Sequence, residues 1–174
     1  MNTDSPSNLP LVTRPADRWG WGALRATVNQ VEVFEEIDAP PSIVWDVLCQ
    51  FEAYPEWNPF VRAIEGVPEP GESFRVRLDP PGGKPRTIRV DLVAIEEGKR
   101  LAWHAERVVP FVYDGYHEVR LEPLEGNRTR LLHRENVRGA LVPVLFDEST
   151  TRRGFEAMNR ALRDRAESRV AGAV

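Results

Sequence analysis

The segment from Ile37 to Phe60, IDAPPSIVWDVLCQFEAYPEWNPF, constrains the fold more than any other part of the chain. Asp38 or Ala39 can cap a helix whose first turn contains Pro40, because the N–H group that proline lacks would be unpaired there anyway. Apolar residues then recur at helical spacing, at Val44, Val47, Leu48 and Phe51. The segment is therefore predicted to hold the end of a strand, a short amphipathic helix and a turn.

The turn after this helix carries two rings and an amide. Pro55 and Pro59 limit how far a helix can continue, so a short, stiff elbow is predicted around Tyr54, Trp57 and Asn58. Rings with polar tips on a rigid turn suit the wall of a small-molecule pocket, and these three residues are candidate ligand contacts. The alternatives are that the rings fill the core and that Asn58 only forms a turn.

The rest of the chain reads as strands followed by one long helix. Alternating segments separated by turn residues predict seven strands, at Val28 to Ile37, Phe60 to Gly66, Ser73 to Leu78, Arg86 to Glu96, Leu101 to Val108, Val112 to Glu122 and Thr129 to Val137. A helix is predicted from Pro143 to Arg169. Its apolar face carries Phe155, Met158, Leu162 and Ala166. This order predicts an α+β fold, a curved antiparallel sheet around a long C-terminal helix, with a cavity wherever side chains do not fill the concave face.

Strand phase selects the candidate chemical groups. Alternation points His117, His133 and Glu135 towards the concave face, and a hairpin turn near Glu125 to Gly126 places residue 117 opposite 133 or 135. Three interpretations remain open for this cluster. It is a satisfied polar network, a polar anchor or acid/base pair for a ligand, or a two-histidine metal site.

Other inward positions are candidate ligand contacts. Trp103 and Arg107 are predicted to point to the inner side of the same strand, and Arg107 forms either an ion pair with a ligand carboxylate or a surface salt bridge. Phe155 and Asn159 lie on the long helix, where Asn159 bonds either a ligand or a backbone carbonyl. No nucleophile, phosphate-loop or metal-ligand motif occurs in the sequence, so no metal or other cofactor is predicted.

Composition excludes several classes of protein. The chain has 174 residues, one cysteine and a net charge of −4. It has no basic stripe for nucleic acid, no apolar run of the ~20 residues that span a membrane, and no secretory signal, so a cytoplasmic protein is expected. Residues 1–26 are predicted to be a partly disordered extension, and residues 27–174 a single domain. The oligomeric state is left open.

Several segments resemble the helix-grip superfamily that includes START domains and polyketide cyclase/dehydrase proteins. The resemblance rests on IDAPPSIVW, YPEWNPF, GYHEV, HRENVRG and GFEAMN. It implies a helix-grip fold that binds a hydrophobic small molecule, such as a lipid, a polyketide or an aromatic metabolite. It equally implies the alternative of a cyclase or dehydratase-like enzyme that uses His117, His133 and Glu135 as acid/base groups.

Overall fold

The computed structural model of the protein describes residues 29–66, 68–106 and 112–172. Its strands are β1 (Asn29–Ile37), β2 (Val61–Glu65), β3 (Ser73–Leu78), β4 (Arg86–Glu96), β5 (Arg100–Glu106), β6 (Asp114–Leu124) and β7 (Arg128–Arg138). Its helices are α1 (Pro41–Cys49), α2 (Tyr54–Trp57), α3 (Val142–Leu145) and α4 (Glu148–Gly172). The predicted extension 1–26 and the candidate Arg107 lie outside the described residues.

The seven strands form one antiparallel sheet in the order β1-β7-β6-β5-β4-β3-β2. The sheet curls into a half-barrel around α4, which confirms the predicted α+β helix-grip fold. Strand β1 pairs with β7 over its whole length, from Asn29 opposite Val137 to Ile37 opposite Thr129. This pairing joins the start of the described chain to its last strand, and the middle of the sheet is formed by β6, β5 and β4.

Helix α1 begins one residue later than the sequence suggested. Pro40 is the N-cap and Pro41 the first helical residue, and no side chain caps the helix. Asp38 is unavailable because its carboxylate accepts a bond from Arg128, at 2.7 Å, and the Ala39 carbonyl accepts one from Thr129, at 2.7 Å. The helix buries Val44, Trp45, Val47 and Leu48.

The predicted C-terminal helix is divided in two. Helix α3 is a single turn, and α4 starts after Asp147, whose carboxylate accepts a bond from the Thr150 backbone N–H at 3.0 Å. Such a cap satisfies one of the free N–H groups of the first turn and fixes the start of the long helix. The apolar face of α4 is buried as predicted, at Phe155, Met158, Leu162 and Ala166.

Helix α4 packs closely against the ring of Phe60 at Gly154. A Cβ atom at this position would overlap the Phe60 ring, so only glycine lets helix and ring pack this closely. The Phe60 and Phe155 rings meet edge to face with centroids 5.8 Å apart. None of the helices in the described part of the chain is long and apolar enough to cross a membrane.

Candidate functional site

A cavity of about 400 Å3 lies between the concave face of the sheet and the first turns of α4. Most of its wall is apolar, formed by Phe60, Val61, Val76, Leu78, Ile88, Trp103, Ala105, Leu145, Phe146 and Phe155. The polar lining residues are Arg86, Thr87, Arg89, Tyr113, His117, Glu135 and Thr151. The structure therefore places the candidates Trp103, His117, Glu135 and Phe155 in the wall of one cavity.

The register of the sheet brings the predicted histidine–glutamate cluster together. His117 on β6 lies directly opposite Glu135 on β7, and Val119 lies opposite His133. The Nδ1 atom of His117 is 3.0 Å from Oε2 of Glu135, and its Nε2 atom is 3.2 Å from Nε2 of His133. All three side chains are thus joined by hydrogen bonds, in the phase that the strand alternation predicted.

Asn159 on α4 adds a fourth member to this chain. Its Oδ1 atom lies 2.8 Å from Nδ1 of His133, and both residues are fully buried. His133 and Asn159 are not among the cavity-lining residues, so they stand behind His117 as seen from the cavity. The chain therefore runs from the cavity wall, at Glu135, into the core between sheet and helix.

Aromatic rings hold the two imidazoles in place. Trp103 lies opposite His117 on the neighbouring strand and stacks on it, with centroids 4.1 Å apart and planes 8° apart. Phe155 stacks on His133 at 3.6 Å and 12°, and meets His117 edge-on. Because an aromatic ring covers a face of each imidazole, the nitrogens of His117 and His133 point towards their hydrogen-bond partners in the chain from Glu135 to Asn159.

Burial decides the charges of these groups. It lowers the pKa of His117 to about 3 and that of His133 well below its usual range, because a charged imidazole is poorly solvated there. The same burial raises the pKa of Glu135 to about 8, although the charges of Arg86 and His104 act in the opposite direction. At neutral pH the chain therefore holds two neutral imidazoles and an un-ionised carboxyl group.

Gly115 makes room for the carboxyl group of Glu135. A Cβ atom at residue 115 would lie 2.9 Å from Oε1 of Glu135 and 3.2 Å from the Tyr113 ring. Oε1 thus rests in the space that a larger residue would fill. The absence of a side chain at residue 115 therefore leaves room for Oε1 of Glu135, a residue that lines the cavity.

The candidates on the elbow lie elsewhere. Tyr54 is fully buried and donates a hydrogen bond to the Leu48 carbonyl at 2.6 Å, and its ring contacts Trp57 at 5.1 Å. Asn58 is also fully buried, and its Oδ1 atom accepts bonds from the Phe60 and Val61 N–H groups, at 3.0 and 2.9 Å. None of Tyr54, Trp57 and Asn58 lines the cavity.

The elbow differs from its prediction for a geometric reason. Pro55 lies in the first turn of α2, where proline is tolerated, so residues 54–57 of the predicted short, stiff elbow make a helical turn. This turn directs the Tyr54 ring under α1 and away from the cavity. The alternative in which the rings fill the core and Asn58 forms a turn matches this placement.

The sequence reasoning missed several lining residues. Arg86 shares the inward phase of β4 with Ile88 and Val90, so alternation alone could have identified it. Tyr113 precedes β6, Leu145 is the last residue of α3, and Phe146 follows it. These short segments have no repeating apolar pattern that would predict which side chains face inward. Among the described residues, no three histidine, cysteine, aspartate or glutamate side chains are arranged to hold a metal ion.

Comparison with known proteins agrees with this architecture. The family described as "Polyketide cyclase / dehydrase and lipid transport" matches residues 29–171. The chain belongs to this family. Residues 29–171 include every strand and the whole α1–α3 region, together with most of α4.

Solved structures show the same fold at low identity. The Zhui aromatase/cyclase from Streptomyces is 25% identical, with a TM-score of 0.55 over 82% of this chain and 96% of that one. A START superfamily protein from Mycobacterium smegmatis is 18% identical, with a TM-score of 0.63 over 80% and 97%. The di-domain ARO/CYC StfQ of the steffimycin biosynthetic pathway is 18% identical, with a TM-score of 0.63 over 83% of this chain and 52% of that one. No curated protein matches the chain.

Proposed function

We propose that this protein binds a hydrophobic small molecule, such as a lipid, a polyketide or an aromatic metabolite, in the cavity between the sheet and α4. The observation that carries the proposal is the cavity of about 400 Å3 with a mostly apolar wall. This volume lies within the ~300–1,000 Å3 typical of small-molecule sites, in which a few polar groups orient an otherwise apolar ligand. His117 and Glu135 are such groups here.

The family and its solved members support this proposal. The family description names lipid transport beside polyketide cyclisation. Two of the structural neighbours are described as aromatase/cyclase proteins. Both chemistries use substrates with large apolar or aromatic bodies, for which the Phe60, Trp103 and Phe155 rings provide contact area.

Binding is tested by filling the cavity. Native mass spectrometry of the purified full chain would first detect a co-purified molecule. Added 2-methoxynaphthalene is then expected to bind the wild-type protein and to shift the NMR signals of Trp103 and Phe155. Ala105→Phe places a ring in the cavity and is expected to weaken binding at least ~10-fold, which is about 1.4 kcal/mol.

The control is Ala171→Phe at the exposed end of α4, which should leave binding unchanged. Unfolding curves for both variants separate lost binding from lost folding. If neither wild type nor control binds the probe, or if Ala105→Phe binds it as well as wild type does, the proposed site is wrong.

A second candidate function is favoured by one observation. The cavity is not purely apolar, because His117 and Glu135 reach its wall and the pKa of Glu135 is raised to about 8. A carboxyl group that titrates near neutral pH is suited to exchange protons with a ligand carbonyl or hydroxyl group. In this alternative the protein is a polyketide cyclase or dehydratase-like enzyme with Glu135 as acid/base group and His117 as its hydrogen-bond partner.

The enzyme alternative is tested with a poly-β-ketone thioester probe. Liquid chromatography coupled to mass spectrometry would report loss of water, or a cyclised isomer of unchanged mass by its different retention time. Glu135→Gln is expected to abolish turnover while 2-methoxynaphthalene still binds, because the amide keeps the shape of the carboxyl group. Turnover that survives Glu135→Gln would exclude the role given to this residue.

A further inference from the structure

We propose that Asn159 fixes the direction of all the hydrogen bonds in the buried chain, so that Glu135 presents a hydrogen-bond acceptor to the cavity. The polar group of the ligand at that point is then a donor, such as a hydroxyl group. The statement about the ligand rests on the proposed binding function, whereas the statement about the chain does not. The two are tested separately below.

The direction follows link by link from the atoms that meet. The Oδ1 atom of Asn159 can only accept, so Nδ1 of His133, 2.8 Å away, carries the hydrogen. A neutral imidazole has one N–H group, so Nε2 of His133 accepts from Nε2–H of His117, at 3.2 Å. Nδ1 of His117 then lacks a hydrogen and accepts from Oε2 of Glu135, at 3.0 Å.

The charge of Glu135 agrees with this direction. To donate to His117, Glu135 must keep its proton, which is the state that burial imposes on it at neutral pH. No arginine or lysine side chain of the described residues forms an ion pair or hydrogen bond with this carboxyl group, whose side chain is only 14% exposed. As far as the described residues extend, an ionised Glu135 would therefore be a buried charge without a bonded cation.

The reverse direction requires a different set of protons. His117 would carry its hydrogen on Nδ1 and His133 on Nε2, and the Asn159 amide nitrogen would have to face His133. Glu135 would then be ionised, or would carry its proton on Oε1. Oε1 rests against Gly115 and has no hydrogen-bond acceptor among the described residues, so a hydroxyl there would depend on a ligand or water for its acceptor.

The direction determines what a ligand meets. With the proton on Oε2, Oε1 is a carbonyl-type oxygen in a cavity-lining residue, and it accepts hydrogen bonds without donating them. Loss of the proton removes the donor at this end, and reversal then requires each neutral imidazole to move its hydrogen to the other nitrogen and the Asn159 amide to turn its nitrogen towards His133. Among the described residues, the charges of Arg86 on β4 and His104 on β5 favour loss of the proton from Glu135. Tyr113, which precedes β6, and His117 on β6 line the same cavity, and Asn159 on α4 bonds to the far end of the chain at His133.

The first experiment reads the tautomers directly by 15N NMR of the full chain. At pH 6.5 we expect hydrogen on Nε2 of His117 and on Nδ1 of His133. Above about pH 8 both are expected to exchange nitrogens together, as Glu135 ionises. In Glu135→Gln the amide NH2 donates to His117 as the protonated carboxyl group does, so the tautomers should match wild type at pH 6.5 and should not exchange at higher pH. The opposite tautomers at pH 6.5 would overturn the inference.

The role of Asn159 is tested by Asn159→Leu, which removes the acceptor for His133. The tautomers are then expected to reverse at a lower pH than in wild type, because only the protonated Glu135 still favours the original direction. Asn136→Leu is the control, because residue 136 lies in the outward phase of β7. An unchanged midpoint of reversal in Asn159→Leu would show that Asn159 does not fix the direction, and Glu135→Gln provides an independent measurement if Asn159→Leu does not fold.

The second experiment tests the ligand class with 2-naphthol and 2-methoxynaphthalene. We expect 2-naphthol to bind wild type about 10-fold more tightly, or about 1.4 kcal/mol, because only the hydroxyl group donates. Glu135→Leu should abolish this preference, and Glu122→Leu on the outer face of β6 should keep it. If wild type binds both probes equally well, only the statement about the ligand is wrong. If wild type binds neither probe, the proposed binding function is wrong, and the direction of the hydrogen-bond chain is then judged from the tautomers alone.

Discussion

Two glutamates on the paired strands β6 and β7 lie on opposite faces of the same sheet and have opposite titration behaviour. Glu135 faces the cavity, bonds to His117, and has its pKa raised to about 8. Glu118 faces the convex side, where Arg134, Arg120 and Arg100 lie against its carboxylate, and its pKa is lowered. The side chain of Glu118 is 1% exposed and that of Glu135 14% exposed, so low solvent exposure alone does not keep a carboxyl group un-ionised.

The difference shows that the partner decides the charge of a buried carboxyl group. Burial alone would raise the pKa of both. At Glu118 the hydrogen bond from Arg134 and the charges of Arg134 and Arg120 outweigh burial. At Glu135 the bonded partner is a neutral imidazole, which offers no compensating charge. The convex cluster is therefore ionic and structural, and the concave cluster is neutral and borders the cavity.

The largest expected effect is the pH dependence of stability that Glu135 brings. Its folded pKa of about 8 lies above the ordinary value of 4.5, so the folded state holds a proton that the unfolded state releases. The contribution is fully present below pH 4.5 and is lost as pH rises through about 8. At 1.36 kcal/mol per pKa unit, the loss is on the order of 5 kcal/mol.

The measurement compares urea unfolding of wild type and Glu135→Gln at pH 5 and pH 9. Wild type is expected to lose stability relative to the variant as pH rises, since all other titrating groups are common to both proteins. Glu118→Gln is the matched comparison, and its difference from wild type should grow, not shrink, as pH rises from 3 to 5. A flat difference between wild type and Glu135→Gln would mean that Glu135 is ionised at neutral pH.

The next effect is the loss of the ionic cluster. Glu118→Gln leaves three guanidinium groups without their shared carboxylate, and breaking a buried ion pair costs about 3–5 kcal/mol. The arginine side chains are 18% to 41% exposed, so solvent reduces the cost to about 2–3 kcal/mol at pH 7. Glu122→Gln, on the same face and exposed, should change the free energy of unfolding by less than about 0.5 kcal/mol. Equal costs for the two variants would contradict the structural role of Glu118.

Strand periodicity carried most of the predictable information. The alternation of β6 and β7 predicted that His117, His133 and Glu135 share a face, and the turn near Gly126 restricted their register. Spacing along α4 likewise predicted its buried face, including Phe155. Such features are repeated along an element, so several residues agree on them before any tertiary contact is known.

Features that depend on a single contact were not predicted. The Tyr54 ring points into the core because its hydroxyl group donates a hydrogen bond to the Leu48 carbonyl. A single contact of this kind leaves no repeating pattern in the sequence. The break before α4 depends on one cap, although Asp147 three residues before Thr150 is a capping signal that the sequence offered. The different charge states of Glu118 and Glu135 could not be predicted without the strand register, because only the pairing of β6 with β7 shows which glutamate lies beside an arginine.

A smaller effect is expected from the space beside Glu135. Gly115→Ala puts a methyl group 2.9 Å from Oε1, so the carboxyl group or the Tyr113 ring must move. We expect a loss of about 1 kcal/mol, the low end for overpacking, together with altered NMR signals of His117. Gly172→Ala is the control, because nothing lies within 4 Å of its new methyl group and alanine favours the helix. Unchanged His117 signals in Gly115→Ala would show that Gly115 does not position the carboxyl group.

The smallest effect sharpens the contrast between bonded and distant cations. Arg86 lines the cavity and lowers the pKa of Glu135 through its charge alone, without a hydrogen bond. Arg86→Gln should therefore raise that pKa further, by less than about one unit, because the exposed guanidinium acts through solvent of high dielectric constant. Arg77→Gln changes an exposed residue in the outward phase of β3 and should leave the pKa of Glu135 unchanged.

The pKa of Glu135 is read from the pH midpoint of the tautomer exchange at His117 and His133, and 0.5 M salt should remove most of the difference between wild type and Arg86→Gln. If Arg86→Gln raises the midpoint by several units, Arg86 is a bonded partner of Glu135, and the two faces of the sheet differ less than their hydrogen bonds indicate. A lowered midpoint would contradict the stabilisation of the ionised carboxyl group by Arg86.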